Sequence, residues 1–295
     1  MAIRLHWVWP LYEAGCEPFG LDDHRRLLDA VAPLGAALSL WPVIERRRGY
    51  FLNDRTSSVF ERRLGDLPAR LGAAGLEGRV GLTVDLEPPL PWLLRRFRAP
   101  LAPPDPAALD RIAAWLRSLR ARGTLTRVQA AVVPGRAAGK NWDDLILMAY
   151  GSVPDLTGRL EVAYPRITAI LSAIGGAAAR LDNPAATRVV ALGLLNRGVL
   201  VSEPTFTRPE VFTRAVALAA PRGARELALY GLCGLLCGPE GMVTPDLELR
   251  DRWDPCPPRR VRAESELSEW VAPLVAALSL PSRLRDPSAR RSSPG

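Results

Sequence analysis

The sequence predicts an α/β protein built as a single (β/α)8 TIM-like barrel, with room for one irregular or missing βα unit. Apolar runs of strand length alternate with amphipathic stretches of helix length, which is typical of βα units and a parallel sheet. Polar residues recur at the carboxyl ends of the predicted strands, where barrels build their sites, and no GxGxxG turn follows a strand. An open doubly wound sheet is the competing arrangement.

Seven apolar runs have the length and the composition of buried strands. They are residues 3–9, 36–44, 79–87, 127–133, 145–150, 188–196 and 226–235. The stretch GYFLN at 49–53 is a candidate for a short, irregular eighth strand.

Six amphipathic stretches of helix length separate or follow these strands. They are residues 21–34, 57–75, 105–123, 164–181, 207–223 and 264–278. Start and stop signals support them: Asp105 stands before Pro106, and Gly123 closes the same stretch. Between the fourth and fifth strands only PGRAAGKNWDD intervenes, which is too short for a full helix.

The domain organisation follows from length and composition. The chain has 295 residues, of which 48% are hydrophobic and 24% charged, as is usual for a globular protein. No linker divides it, so we expect one barrel domain over residues 1–282. The basic stretch at 283–295 is predicted to be a disordered tail.

The net charge of +8 raises the question of a nucleic-acid partner. Lys140 is the only lysine, and the arginines are scattered over every predicted helix instead of forming one basic stripe. A nucleic-acid-binding face needs a localised basic patch, so we expect no nucleic-acid partner.

The four cysteines lack CxxC spacing, and only two histidines accompany them, so no zinc-site pattern exists and neither a metal nor a cofactor is expected. The amino-terminal apolar run breaks at Pro10, which is too short for a secretory signal. No window is long and apolar enough for a membrane span. We therefore expect a soluble cytoplasmic protein without a membrane partner; the sequence leaves its oligomeric state open.

The candidate site begins with RVGLTVDLEPPLPW, residues 79–92. Side chains alternate along a strand, so Gly81, Thr83, Asp85 and Glu87 share one face, and large aliphatic residues form the other. A buried unpaired carboxylate is costly, so this face is expected to open into a polar cavity at the end of the strand.

Neighbouring strands offer further polar and aromatic residues for the same cavity. The candidates for substrate binding are Trp7, Trp41, Gln129, Met148 and Tyr230, and Tyr150 is a third candidate catalytic residue beside Asp85 and Glu87. Carboxylates, a tyrosine hydroxyl and flat aromatic faces are what sugar chemistry uses. His6 is instead expected to be a hydrogen-bonded core histidine, since no nucleophile motif accompanies it.

LTVDLEP and, further along, LMAYG resemble two motifs of the chitinase-like barrels of glycoside hydrolase family 18. That family carries a DxxDxDxE strand and a later Met-x-Tyr-Asp strand. The resemblance implies that Glu87 is the general acid, that Asp85 orients the substrate's acetamido group and that Tyr150 holds the reacting carbonyl, with Met148 packed beside them. An ionised Asp85 is expected to raise the pKa of Glu87.

Three hypotheses follow. The first is a glycoside hydrolase-like barrel that cleaves or binds an oligosaccharide, N-acetylated or related, by general acid catalysis and without a cofactor. The second is a catalytically silent carbohydrate-binding or scaffold barrel, which is favoured by Thr83 and Gly151 standing where the family motifs have Asp. The third is a metal-assisted enzyme with Asp85, Glu87 and Asp144 as oxygen ligands.

Overall fold

A computed structural model describes residues 3–12, 20–45, 48–87, 105–132, 142–148, 187–195, 205–219 and 226–230. The chain forms two compact units, Met1–Leu145 with Asp182–Ala186 and Ile146–Leu181 with Thr187–Gly295. The predicted helices at 164–181 and 264–278 and the predicted tail lie outside the described residues. Within the described ranges, no helix is both long enough and apolar enough to cross a membrane.

The first unit alternates strands with helices. Its strands are β1 (Ile3–Pro10), β2 (Ala36–Val43), β3 (Val80–Leu86), β4 (Val128–Val132) and the beginning of β5 (Asp144–Met148). Its helices are α1 (Leu21–Val31), continued by a 3-10 turn at Ala32–Leu34, then α2 (Ser57–Leu64), α3 (Leu67–Ala73) and α4 (Pro106–Ala121). The second unit contains β6 (Thr187–Leu195), β7 (Thr205–Phe206), α5 (Pro209–Ala219) and β8 (Glu226–Tyr230).

The strand pairing is parallel throughout the described pairs. β1, β2, β3 and β4 pair in chain order, with His6 opposite Ser39, Ser39 opposite Gly81, and Thr83 opposite Gln129. In the second unit, β6 pairs with both β7 and β8, again in parallel. Parallel neighbours need long crossovers, and the helices α1 to α4 supply those between β1 and β4. The α/β class with parallel strands is therefore confirmed, whereas closure into a barrel stays a prediction.

Each of the seven predicted strands contains an observed strand, but the prediction for GYFLN is wrong. Gly49 and Tyr50 have positive φ angles of 117° and 63°, which an extended strand does not allow. The stretch is a turn whose Leu52 N–H donates to the carbonyl of Asp85 at 3.0 Å. The short strand β7 was not among the predicted strands.

The predicted helix at 57–75 is two helices. α2 ends at Leu64 and α3 begins at Leu67, with Gly65 and Asp66 between them. Pro68 lies in the first turn of α3, where its missing N–H costs no helical hydrogen bond, whereas inside one continuous helix it would remove one. The long α4 forms as predicted, since the Asp105 carboxylate accepts from the Ala108 N–H at its start.

A buried ion pair joins the amino-terminal ends of β4 and β5. The Arg127 guanidinium donates two hydrogen bonds to the Asp144 carboxylate, whose side chain is only 2% exposed. The neighbouring Asp143 carboxylate accepts from the Val128 N–H at 2.9 Å. Both aspartates therefore fasten the start of β5 to the start of β4.

Removing one partner of this ion pair tests its structural role. We expect Arg127→Met to lower the free energy of unfolding by about 3 kcal/mol, because it leaves the buried Asp144 carboxylate without its cation. Urea unfolding at pH 7 measures the loss.

The exposed pair between Arg79 and Asp29, 2.7 Å apart, is the matched control. Asp29→Asn should cost less than about 1 kcal/mol, because water screens an exposed pair. Equal losses for the two variants would contradict the structural role assigned to Asp144.

Candidate functional site

The candidate site lies on one face of β3. Val80, Leu82 and Val84 are fully buried on the opposite face, as the alternation predicts. Thr83 is also fully buried, and Asp85 is 5% exposed, while Glu87 just beyond the strand is half-buried. The polar face is therefore closed to water at Thr83 and becomes accessible at Glu87.

The Thr83 hydroxyl is the centre of a buried polar layer that spans four strands. It lies 3.0 Å from His6 Nδ1, 2.8 Å from Ser39 Oγ and 3.2 Å from Gln129 Oε1. Close packing preserves the layer: a Cβ added at Gly81 would approach Ser39 Oγ to 3.1 Å. The predicted hydrogen bond of His6 is confirmed, whereas the residue as a whole is only partly buried.

Counting protons fixes the direction of each bond in this layer. A threonine hydroxyl has one proton, and the Gln129 carbonyl oxygen can only accept, so Thr83 donates to Gln129. Ser39 and His6 must then both donate to Thr83. Burial, followed by the charges of Arg4 and Arg127, lowers the pKa of His6 to about 4. His6 is thus a neutral imidazole with its proton on Nδ1.

Asp85 and Glu87 form a carboxyl pair directly above this layer. Burial, and then the charge of Glu87, raises the pKa of Asp85 well above its usual value. The expectation that an ionised Asp85 raises the pKa of Glu87 stays a prediction. Asp85 is the more deeply buried carboxyl, so it is the one whose charged form is disfavoured.

The turn at 49–53 holds the end of β3 in place. The Asn53 side-chain amide donates to the carbonyl of Glu87 at 3.2 Å, and its Oδ1 accepts from the N–H groups of Arg55 and Thr56. Asn53 thus joins the end of β3 to the start of α2. Sequence reasoning missed this residue, although an Asn three positions before a Thr at a helix start is a known turn signal.

Two of the predicted substrate-binding residues lie on the polar face. Gln129 is part of the Thr83 layer, and Trp41 meets the edge of the His6 ring, with centroids 6.0 Å apart and planes at 80°. The Trp41 residue is only 7% exposed, so it packs against the layer and contributes little surface to solvent.

Trp7 does not join the site, which corrects its prediction. His6 points towards Thr83, so strand alternation puts Trp7 on the opposite face of β1, where its side chain is 40% exposed. Trp9 shares that face, and the Arg70 guanidinium of α3 lies 4.8 Å from its ring centroid. That face of β1 therefore packs beneath a helix, away from the carboxyl pair.

The structure describes only some of the other predicted site residues. Met148 is buried at the end of β5, in the second unit. Tyr150 lies outside the described residues, as does the side chain of Tyr230. Their predicted roles stay predictions.

One of the three ligands in the metal hypothesis, Asp144, does not lie beside the other two. Asp144 is bound to Arg127 at the amino end of its strand, whereas Asp85 is at the carboxyl end of β3, opposite Ala131. Among the residues that the structure describes, no group of three or more His, Cys, Asp or Glu side chains is placed to hold a metal ion.

No protein-family model and no curated protein matches the chain.

The raised pKa of Asp85 predicts how its removal affects stability. The folded protein retains the Asp85 proton to a higher pH than the unfolded chain does, so stability falls as pH rises above the usual aspartate value. Asp85→Asn removes this effect. We expect its melting temperature to exceed that of the wild type at pH 8, and the difference to shrink towards pH 4.

The control is Asp110→Asn on the exposed face of α4, which should show no such trend. A melting temperature of Asp85→Asn below that of the wild type at both pH values would count against the neutral carboxyl. Thermal melts followed by circular dichroism at four pH values suffice.

Proposed function

We propose that this protein is a glycoside hydrolase that cleaves an oligosaccharide, N-acetylated or related, with Glu87 as the general acid. The observation that carries the proposal is the carboxyl pair at the end of β3, in which a buried Asp85 with a raised pKa adjoins a half-exposed Glu87. Pairs of carboxyl groups in different environments are the usual machinery for breaking glycosidic bonds.

The position of the pair supports a catalytic role. In parallel α/β folds, ligands bind beyond the carboxyl ends of the strands, and Glu87 follows directly after β3. Asp85 Oδ1 has no hydrogen-bond partner among the described residues, and the causes of its pKa shift include no cation. A purely structural carboxylate would be expected to have an arginine or backbone partner, as Asp144 has.

The fold part of the proposal is a closed (β/α)8 barrel. Four parallel strands paired in chain order, with helices between them, support it. Tyr150 and Tyr230 belong to the proposal as the hydroxyl that holds the reacting carbonyl and as a wall of the substrate site.

The proposed reaction begins with the proton of Asp85. This proton passes to Glu87, which donates it to the glycosidic oxygen as the bond to the anomeric carbon breaks. The substrate's acetamido oxygen attacks the anomeric carbon, so no second enzymatic nucleophile is needed. Asp85, now an anion in a dry environment, stabilises the positive charge of the intermediate. Water then opens the intermediate and gives a proton to Glu87, from which it passes back to Asp85 and restores the starting state.

Replacing the proposed acid gives the direct test. Glu87→Gln should lower kcat on chitotriose by about 100- to 10,000-fold, because an amide has no proton to give the leaving oxygen. Stability should change little, because the two side chains have nearly the same size. Product release followed by chromatography measures the rate, and a thermal melt checks folding.

Glu210→Gln on the exposed face of α5 is the matched control and should retain full activity. Hydrolysis by Glu87→Gln at the wild-type rate would refute the assignment of the acid. Binding of chitotriose by a wild type that does not hydrolyse it would favour the silent carbohydrate-binding barrel instead.

A further inference from the structure

Two buried polar atoms near the carboxyl pair lack hydrogen-bond partners among the described residues. They are Oδ1 of Asp85, on a side chain that is 5% exposed, and Nε2 of Gln129, on a fully buried one. Burying such an atom without a hydrogen-bond partner destabilises the folded protein. The two atoms belong to neighbouring strands, β3 and β4, so one bound group is a candidate partner for both.

The two residues are diagonal neighbours on one face of the sheet. Gln129 is opposite Thr83 and Ala131 is opposite Asp85, so Asp85 and Gln129 are one strand and two residues apart. The strand spacing and the rise per residue put their Cα atoms about 8 Å apart. Both side chains extend from the same face, so a single bound oxygen atom can bridge them.

The hydrogen-bond layer fixes which atom of the Gln129 amide is available. Its Oε1 accepts from Thr83, so its NH2 group is left with protons to donate. A group bound there must accept a hydrogen bond from Gln129. The NH2 group repels a cation, so the partner is not a metal ion.

The protonation of Asp85 determines whether the bound group must also donate a hydrogen bond. In the proposed reaction its proton is on the oxygen that adjoins Glu87, which leaves Oδ1 as an acceptor; this step rests on the proposed function. The bound group must therefore accept from Gln129 and donate to Asp85 with the same oxygen. A hydroxyl group and a water molecule do this, whereas a carbonyl oxygen cannot donate.

We propose that Asp85 and Gln129 form a buried subsite for one hydroxyl group, which holds a water molecule in the free protein and a sugar hydroxyl of the substrate in the complex. The His6–Thr83 bond is the support of this subsite, because it keeps the single Thr83 proton directed at Gln129. Gln129 is thus a binding residue for the substrate, and Thr83 and His6 position it.

The first test needs no substrate. A high-resolution crystal structure of the wild type should show one water within about 2.6–3.2 Å of both Asp85 Oδ1 and Gln129 Nε2. The same water should be absent from Gln129→Met, which keeps the length of the side chain but has no donor. Thr124→Val, a buried polar-to-apolar change elsewhere in the first unit, is the control and should retain the water.

The second test uses chitotriose and its monodeoxy analogues, with Kd measured calorimetrically on Glu87→Gln to prevent turnover. The analogue that lacks the hydroxyl bound in this subsite should bind about tenfold more weakly than chitotriose, because it loses one buried hydrogen-bonded hydroxyl. In the double variant that adds Gln129→Met, that analogue and chitotriose should bind equally. Comparing the two ligands on both variants isolates the contact between Gln129 and the sugar hydroxyl from any general effect of the substitution.

The outcomes separate this inference from the proposed function. A bridging water that Gln129→Met removes, in a protein that neither binds nor cleaves chitotriose, would support the subsite and refute the proposed substrate. A wild-type structure with no bridging water, together with equal affinities for chitotriose with and without Gln129→Met, would overturn the subsite even if Glu87 proves to be the acid.

Discussion

The single hydroxyl proton of Thr83 constrains the polar face of this protein. Three side chains from three other strands reach that hydroxyl, and only one of them can receive its proton. Parallel sheets are usually apolar on both faces, so a buried polar layer of this kind is stable only if every bond in it is correctly directed. A shift of β3 by one residue would bring Leu82 or Val84 into the layer and leave His6 and Gln129 without their partner. The layer therefore fixes the register that brings Asp85 and Glu87 to the end of the strand.

Burial makes the stability of the folded protein depend on pH in opposite directions at His6 and at Asp85. His6 resists protonation, so the stability that depends on it is lost as pH falls from 6.5 towards 4. Asp85 resists deprotonation, so its contribution is lost as pH rises above the usual aspartate value. Burial is the largest cause in both groups, and like charges add to it: those of Arg4 and Arg127 at His6, and that of Glu87 at Asp85. A neutral acid beside a half-exposed carboxyl is the arrangement from which a proton can be delivered to a substrate.

Local patterns predicted much of this arrangement. The period of two in residues 80–87 was enough to put Asp85 and Glu87 on one face, because alternation is a property of the strand itself. The assignment of Trp7 was wrong because nearness to a strand end says nothing about which face a side chain occupies; the position of His6 decides that. GYFLN has the composition of a strand, but Gly49 and Tyr50 have positive φ angles, and the stretch is hydrogen-bonded to Ile44 just after β2 and to Asp85 near the end of β3. The contact between Thr83 and Gln129 depends on the register between β3 and β4, which no local pattern encodes.

Burial and the charge of Glu87 raise the pKa of the Asp85 carboxyl, so Asp85 keeps its proton to a higher pH than an ordinary aspartate does. A 13C NMR titration of side-chain carboxyl carbons, with Asp85 assigned by its loss in Asp85→Asn, tests it directly. We expect Asp85 to titrate well above the usual aspartate range in the wild type, and at a lower pH in Glu87→Gln, where one of the two causes is removed. A carboxyl carbon that titrates in the usual aspartate range, unchanged by Glu87→Gln, would contradict it.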